Sequence, residues 1–199
     1  MSEPFPDIRI KNFRLDLNEN KARFESPFTR QRQVISLGAG TADRWEGVIT
    51  TPELYPADVK TMFNFVVKVG LYGQFTIEHP DYGGPESGEF LGAVAGTGQS
   101  GISLVCDGFT PNIVVAREGD YFQVRNEFKR LTANANSNGT GVVTFNFRPA
   151  LRVSPAHTDP VDLVTPLLLC ELLTIPSEDT DELGTQAFTL AFQEVLSGV

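Results

Sequence analysis

Gly96, Gly98 and Gly101 stand at the G-x-G-x-x-G spacing that cradles a dinucleotide when a strand precedes it and a helix comes after. The residues after Gly101 are instead Ile102 to Cys106, β-branched and apolar, and then the turn pair Asp107-Gly108. No acidic residue falls in the second strand of a βαβ unit, so the glycines are read as a loop or a bulged strand edge, and no cofactor is expected. His79 and His157, the two histidines of the chain, each have an aspartate two residues on, Asp81 and Asp159. A metal centre needs three or four converging ligands, and loop histidines beside prolines more often serve structure, so no metal is expected. Neither Cys106 nor Cys170 lies near a histidine in sequence, and no serine occupies a G-x-S-x-G elbow. Glu178, Asp179, Asp181 and Glu182 lack the glycine and spacing of a calcium loop and read as a solvated hairpin tip. Asn138-Gly139-Thr140 is a glycosylation sequon that, without export, serves only as a turn. No catalytic residue is nominated, and the expectation is a protein that is not an enzyme.

The composition supports the same direction. A chain of 199 residues holds one generous domain or two small ones, and 41% hydrophobic with 21% charged residues is the mix of an ordered globular protein. Its aromatic content is skewed, with 15 Phe against 1 Trp and 4 Tyr, and Phe adds bulk to cores and packed interfaces without a polar group to satisfy. A formal charge of −9 leaves no broad basic field for nucleic acid or for an anionic membrane surface. No apolar run is long enough to span a bilayer, and the start Met1-Ser-Glu-Pro-Phe-Pro lacks the regions of a secretory signal. The two cysteines lie far apart in apolar segments and suit a reducing compartment, so synthesis in a cytoplasm is expected.

Most of the elements that must position these residues read as strands. Apolar and polar residues alternate from Asp7 to Leu17 with a slip of phase at Asn12, read as a bulge or short turn. Arg30 to Leu37 reads as a strand with Arg30 and Arg32 on one face, and Arg44 to Thr50 as another with Trp45, Gly47 and Ile49 on one side. One helix is expected behind Pro56, with Val59, Met62, Phe63 and Val66 on its apolar stripe and stop signals at Gly70 and Gly73. Gln74 to Glu78 returns to a strand. After the turn-rich stretch from His79, short strands are expected at Ile102–Cys106, Ile113–Ala116, Tyr121–Val124 and Gly141–Phe147. Two more, Leu167–Ile175 and Thr185–Val195, have too little around them to fold alone and are expected to pair with the sheet built before His79.

This pattern gives a split architecture: residues 1–90 plus 156–199 form one β domain, and residues 91–155 form a small antiparallel β domain inserted into it. Many short strands leave open sheet borders that must be paired or covered, and pairing with further copies in a closed ring is one solution.

In order and spacing, several segments resemble the distal tail type of tail-tip structural protein of long non-contractile-tailed bacteriophages. They are Ser36-Leu-Gly-Ala-Gly-Thr-Ala-Asp-Arg-Trp-Glu-Gly-Val-Ile-Thr-Thr-Pro-Glu-Leu, the helix behind Pro56-Ala57, Gln74-Phe75-Thr-Ile, Gly98-Gln-Ser-Gly101, Asp107-Gly-Phe, Glu118-Gly-Asp-Tyr-Phe-Gln-Val and Phe147-Arg-Pro-Ala-Leu-Arg-Val-Ser-Pro155. The resemblance runs from about residue 24 to the end; Phe147-Arg-Pro stands where a doubled proline is more usual. It implies a mainly β fold, a tube-like β-sandwich or barrel with one flanking α-helix, split by the inserted domain. It implies a homo-hexameric ring in the virion tail, joining the tail tube protein to the baseplate hub protein, with DNA passing through the channel without specific binding. Within this reading Arg44 and Trp45 are expected in the core or at a ring contact. An alternative is a module for host-surface glycans, in which Phe109, Tyr121 and Phe122 of the inserted domain are the candidate contacts, with one of the neighbours Tyr121 and Phe122 turned inward.

Overall fold

The computed structural model describes residues 2–36, 40–88, 91–176 and 183–196. Along the chain run β1 (Glu3–Pro4), β2 (Asn12–Asn18), β3 (Lys21–Glu25), β4 (Arg32–Ser36), β5 (Arg44–Thr50), α1 (Pro56–Val69), β6 (Gln74–Glu78), β7 (Leu91–Val94) and β8 (Gly101–Asp107). Then come β9 (Val114–Ala116), β10 (Tyr121–Val124), β11 (Glu127–Leu131), β12 (Ala135–Asn136), β13 (Val143–Leu151), β14 (Pro160–Asp162), β15 (Leu167–Leu172) and β16 (Thr189–Glu194). The protein is mainly β, with α1 the single helix among the described residues.

The chain divides into two compact units, one built from Met1–Asp16, Trp45–Gly83 and Thr165–Val195, the other chiefly from Leu17–Arg44 and Gly84–Val164. The first unit carries a six-stranded sheet in the order β1-β6-β15-β16-β5-β2. The two C-terminal strands enter it as the alternation demands: β15 pairs antiparallel with β6 and β16 with β5. Period-two burial sends Trp45, Gly47 and Ile49 of β5, Phe75 and Ile77 of β6 and Leu190, Phe192 and Glu194 of β16 to one face.

Helix α1 belongs to the same unit. Pro56 pre-sets its first turn, Asp58 and Lys68 suit the two ends of its dipole, and Gly70 closes it with φ 54° and an N–H donated to the Val66 carbonyl at 2.8 Å. Its buried stripe runs through Met62, Val66 and Val69 with Val59 and Phe65 at the flanks. Phe63, expected on that stripe, is only half-buried; Phe65 takes its place, packing edge-on against Phe75 at 5.5 Å and Phe5 at 5.4 Å. Residues 7–11, expected as strand, are not one: Ile8 and Ile10 are half-buried, and Lys11 N–H donates to the Thr50 carbonyl just before β2 begins.

The second unit holds a closed barrel, β10-β11-β13-β8-β7-β14, sealed where β14 pairs antiparallel with β10. Its interior is filled by side chains, among them Leu104, Cys106, Phe122, Val124, Leu131, Phe145 and Phe147. Phe122 is stacked on Phe145 at 5.2 Å and meets Phe147 edge-on at 5.3 Å. The expected insertion, 91–155, is too narrow. Residues 156–164 belong to the barrel because β14 pairs with β7 as well as β10, and residues 84–88 come with them. Residues 17–44, expected in the first domain, also group with this unit. Glu178, Asp179, Asp181 and Glu182 lie outside the described residues.

Candidate functional site

The side chains that stand out are those that no other described element covers. Strands β3 and β4 form a two-stranded hairpin, and no other described strand pairs with either. Its register, Ala22 opposite Ile35 and Phe24 opposite Gln33, puts Ala22, Phe24 and Ile35 on one face, while Lys21, Glu25, Arg32 and Val34 take the other. The tip is tied by Ser26 and Gln31: Arg30 N–H donates to the Ser26 carbonyl at 2.9 Å, Thr29 N–H to Ser26 Oγ at 3.2 Å, and Ser26 N–H to the Gln31 carbonyl at 3.0 Å. Arg30 sits in this turn at φ 54°, so the expected strand from Arg30 begins only at Arg32, and its expected end at Leu37 lies outside the described residues.

The hairpin exposes what a folded protein ordinarily hides. Phe28 is 95% exposed, Phe24 57%, Val34 55% and Ile35 41%. A two-stranded ribbon is marginal in water on its own, and apolar side chains of this size on an unpaired ribbon mark a surface meant to be covered. Its charge is also distinct: Lys21, Arg23, Arg30 and Arg32 oppose only Glu25 between residues 21 and 36, in a chain of net −9. The arm is not evident in the sequence because Phe24 and Ile35 read the same whether or not another element covers their face.

The face of the first unit's sheet opposite Trp45, Ile49 and Phe192 carries a second signal. Cross-strand register lines up Glu46, Gln193, Glu171 and Gln74 on β5, β16, β15 and β6. Gln193 Nε2 donates to Glu171 Oε1 at 2.5 Å within this row. The row is acidic and amide-lined, without a basic residue among its four members.

The motif glycines shape the loop that leads into β8. Gly96, Gly98 and Gly101 all have positive φ, at 95°, 76° and 81°, a region that side chains disfavour. The loop they shape turns Gln99 back onto β8, where its Nε2 donates to the Ala95 and Val105 carbonyls at 2.9 and 3.0 Å and its Oε1 accepts from Val105 N–H at 2.6 Å. A side-chain amide thus takes the place of a strand partner for β8 beyond the end of β7.

His157 Nδ1 lies 3.1 Å from the Gly96 nitrogen beside that loop, and His79 Nδ1 accepts from Asp81 N–H at 3.3 Å, with its ring edge-on to Phe13. Among the described residues, no group of three or more His, Cys, Asp or Glu converges as a metal site.

Trp45 is in the core, 4% exposed, and its backbone N–H donates to Glu194 Oε2 at 3.1 Å; Arg44 beside it is half-buried. Two of the three candidate glycan contacts are corrected by the barrel. Phe122 is fully buried among Phe145 and Phe147, and Phe109 is 4% exposed against Phe145, because a closed barrel of six strands fills its interior with its own aromatics. Tyr121 points outward and is half-buried, stacked on Phe128 at 5.0 Å with the Arg130 guanidinium 5.6 Å from its ring. Burial pushes its phenol above the ordinary value, partly offset by Arg130.

Cys106 and Cys170 are free and buried in separate units. Burial first, and the Asp107 charge second, push the Cys106 thiol up to about 12; burial and then Glu194 and Glu171 raise Cys170 well above its ordinary value. The native protein is therefore expected to leave both thiols unmodified by an aromatic disulfide reagent at neutral pH, and to titrate two thiols once unfolded. These raised values contribute stability below the unfolded thiol value and lose it as pH climbs from about 9 toward 12, so the urea midpoint should fall across that window. Rapid labelling of the folded protein would contradict this.

No protein-family model matches the chain, and no curated protein matches it.

Proposed function

We propose that this chain is a structural subunit of a bacteriophage tail tip, assembling through its β3–β4 arm into a ring that joins the tail tube to the baseplate hub. The carrying observation is the arm itself, a basic ribbon on an acidic chain, bearing exposed Phe28 at its tip and exposed Phe24 and Ile35 on one face. A second copy is the occupant with the right charge: the chain carries −9 overall, and the arm contributes net positive charge to that sum. Aromatic residues, Phe among them, are enriched in protein–protein interfaces. The row of Glu46, Gln193, Glu171 and Gln74 supports the second half of the reading, since its two carboxylates and two amides offer a passing phosphate no cation. In this reading the chain performs no catalysis and takes no cofactor.

The test is the mass of the protein in solution by light scattering, with negative-stain images. Wild-type protein is expected as a closed ring, hexameric by the resemblance, with a central hole. The variant Phe24→Ser/Phe28→Ser/Ile35→Ser is expected as a monomer of unchanged circular dichroism, because loss of a buried aromatic anchor costs about 2 kcal/mol or more of association. A wild-type protein that stays monomeric at high concentration, alone and mixed with a tail tube protein, would sink the reading.

A further inference from the structure

An assembly arm is useful only if it points in one direction, and a two-stranded ribbon cannot hold itself. Its two roots are Asn20, entering β3, and residues 41–43, which lead into β5. Both are fastened to one place. The Arg152 guanidinium, one residue beyond the end of β13, donates from Nε to the Thr41 carbonyl at 3.3 Å and from a terminal nitrogen to the Asp43 carbonyl at 3.0 Å. The Asp43 side chain, 2% exposed, then accepts from Asn20 N–H at 3.0 Å. One cation thus holds the second root, and the residue it holds clamps the first.

Arg152 is itself fixed from inside the barrel. Its backbone N–H and that of Val153 donate to the buried Glu127 carboxylate at 3.1 and 3.0 Å, and Glu127 is paired with the fully buried Lys129. A further charge faces the same root from β13: the Glu19 carboxyl is held below its ordinary value, first by its hydrogen bond from Lys21 and with a contribution from Arg148. Hydrogen bonds thus link the buried Glu127–Lys129 pair to the Arg152 backbone, and the Arg152 guanidinium to the second root of the arm.

We propose that the inserted barrel is the mount of the arm, with Arg152 and Asp43 as positioning residues that set its direction. The proposal rests on reading the arm as the assembly element. It assigns the insertion a part in ring formation even where the barrel binds no ligand: the barrel aims the contact by which one copy reaches the next.

The test places spin labels on the full chain at Thr29→Cys in the arm tip and Thr144→Cys on the exposed side of β13; the two native thiols are buried. Label-to-label distances are then measured in dilute protein. A single narrow distribution is expected in the parent, lost in R152A and D43A, and kept in D43N, which retains the oxygen that accepts from Asn20. Exchange of the Asn20 amide should speed up about tenfold in R152A and D43A, the factor for losing a charge-assisted hydrogen bond, while the barrel amides of Leu104 and Phe145 keep their protection. A narrow distribution in R152A, or barrel amides that exchange faster in step with Asn20, overturns the proposal. If R152A does not fold, the D43A and D43N pair decides on the same criteria. Light scattering of the unlabelled variants separates the two readings: an arm that loosens while association stays intact leaves the mount standing and removes the arm from assembly, whereas an arm that stays fixed removes the mount whatever the association does.

Discussion

Replacing Glu127 with alanine is expected to cost the protein about 3–5 kcal/mol, the penalty for leaving a buried charge without its partner. Glu127 is 3% exposed and Lys129 is fully buried, with Nζ 2.6 Å from Glu127 Oε2. The ammonium also donates to the Ala150 carbonyl at 2.8 Å and lies 5.9 Å from the Phe147 ring. In Glu127→Ala that ammonium loses its counter-charge, and the N–H groups of Arg152 and Val153 lose their acceptor in the same step. Lys129→Met is expected to cost less, because the carboxylate left behind keeps both backbone donors. The ratio of the two losses is the informative quantity, read from urea unfolding followed by far-ultraviolet circular dichroism. Equal losses would mean that the backbone donors contribute nothing.

Gly47→Ala is expected to destabilise the first unit by about 3 kcal/mol or more, the upper range for overpacking a filled core. Gly47 lies on β5 with β16 on one side and β2 on the other. A Cβ there would stand 2.4 Å from Phe192 Cζ and 2.5 Å from the Arg14 carbonyl oxygen. The first obstacle is a ring that is fully buried and packed against Phe13 and Phe75, at 6.0 and 6.1 Å, and the second is backbone, so neither can move aside. Gly47→Ala/Phe192→Leu removes the first clash only and should recover part of the loss. Trp45, two residues away on the same strand and the single tryptophan of the chain, reports the transition by fluorescence. A midpoint within error of wild type would show that β5 shifts freely, contrary to its place in the sheet.

Much of the fold is legible in the residues because the pattern is strict where one face is buried. Trp45, Gly47 and Ile49, or Phe188, Leu190 and Phe192, recur at every second position, and the first and last thirds of the chain must share a sheet because neither buries its apolar face alone. Strand β11 is not legible, for the converse reason: Glu127-Phe-Lys-Arg-Leu131 reads as a charged connection, yet Glu127 and Lys129 point inward and satisfy one another. A period of two cannot reveal a strand whose inward positions are an ion pair. Phe109 and Phe122 fail as surface contacts by the same logic, since an aromatic beside polar residues looks alike in sequence whether it faces a ligand or a barrel interior.

The amino-acid sequence by itself determined the β class, the helix behind Pro56 and the acidic balance, because periodicity, turn residues and charge are local or additive properties. Tertiary structure alone decided that the β3–β4 ribbon stands uncovered among the described residues, that Glu46, Gln193, Glu171 and Gln74 fall in one row, and that Arg152 reaches the roots of the arm. Each of these depends on strand register or on contacts between residues far apart in the chain, and which neighbour covers a strand is written in no segment of the strand itself.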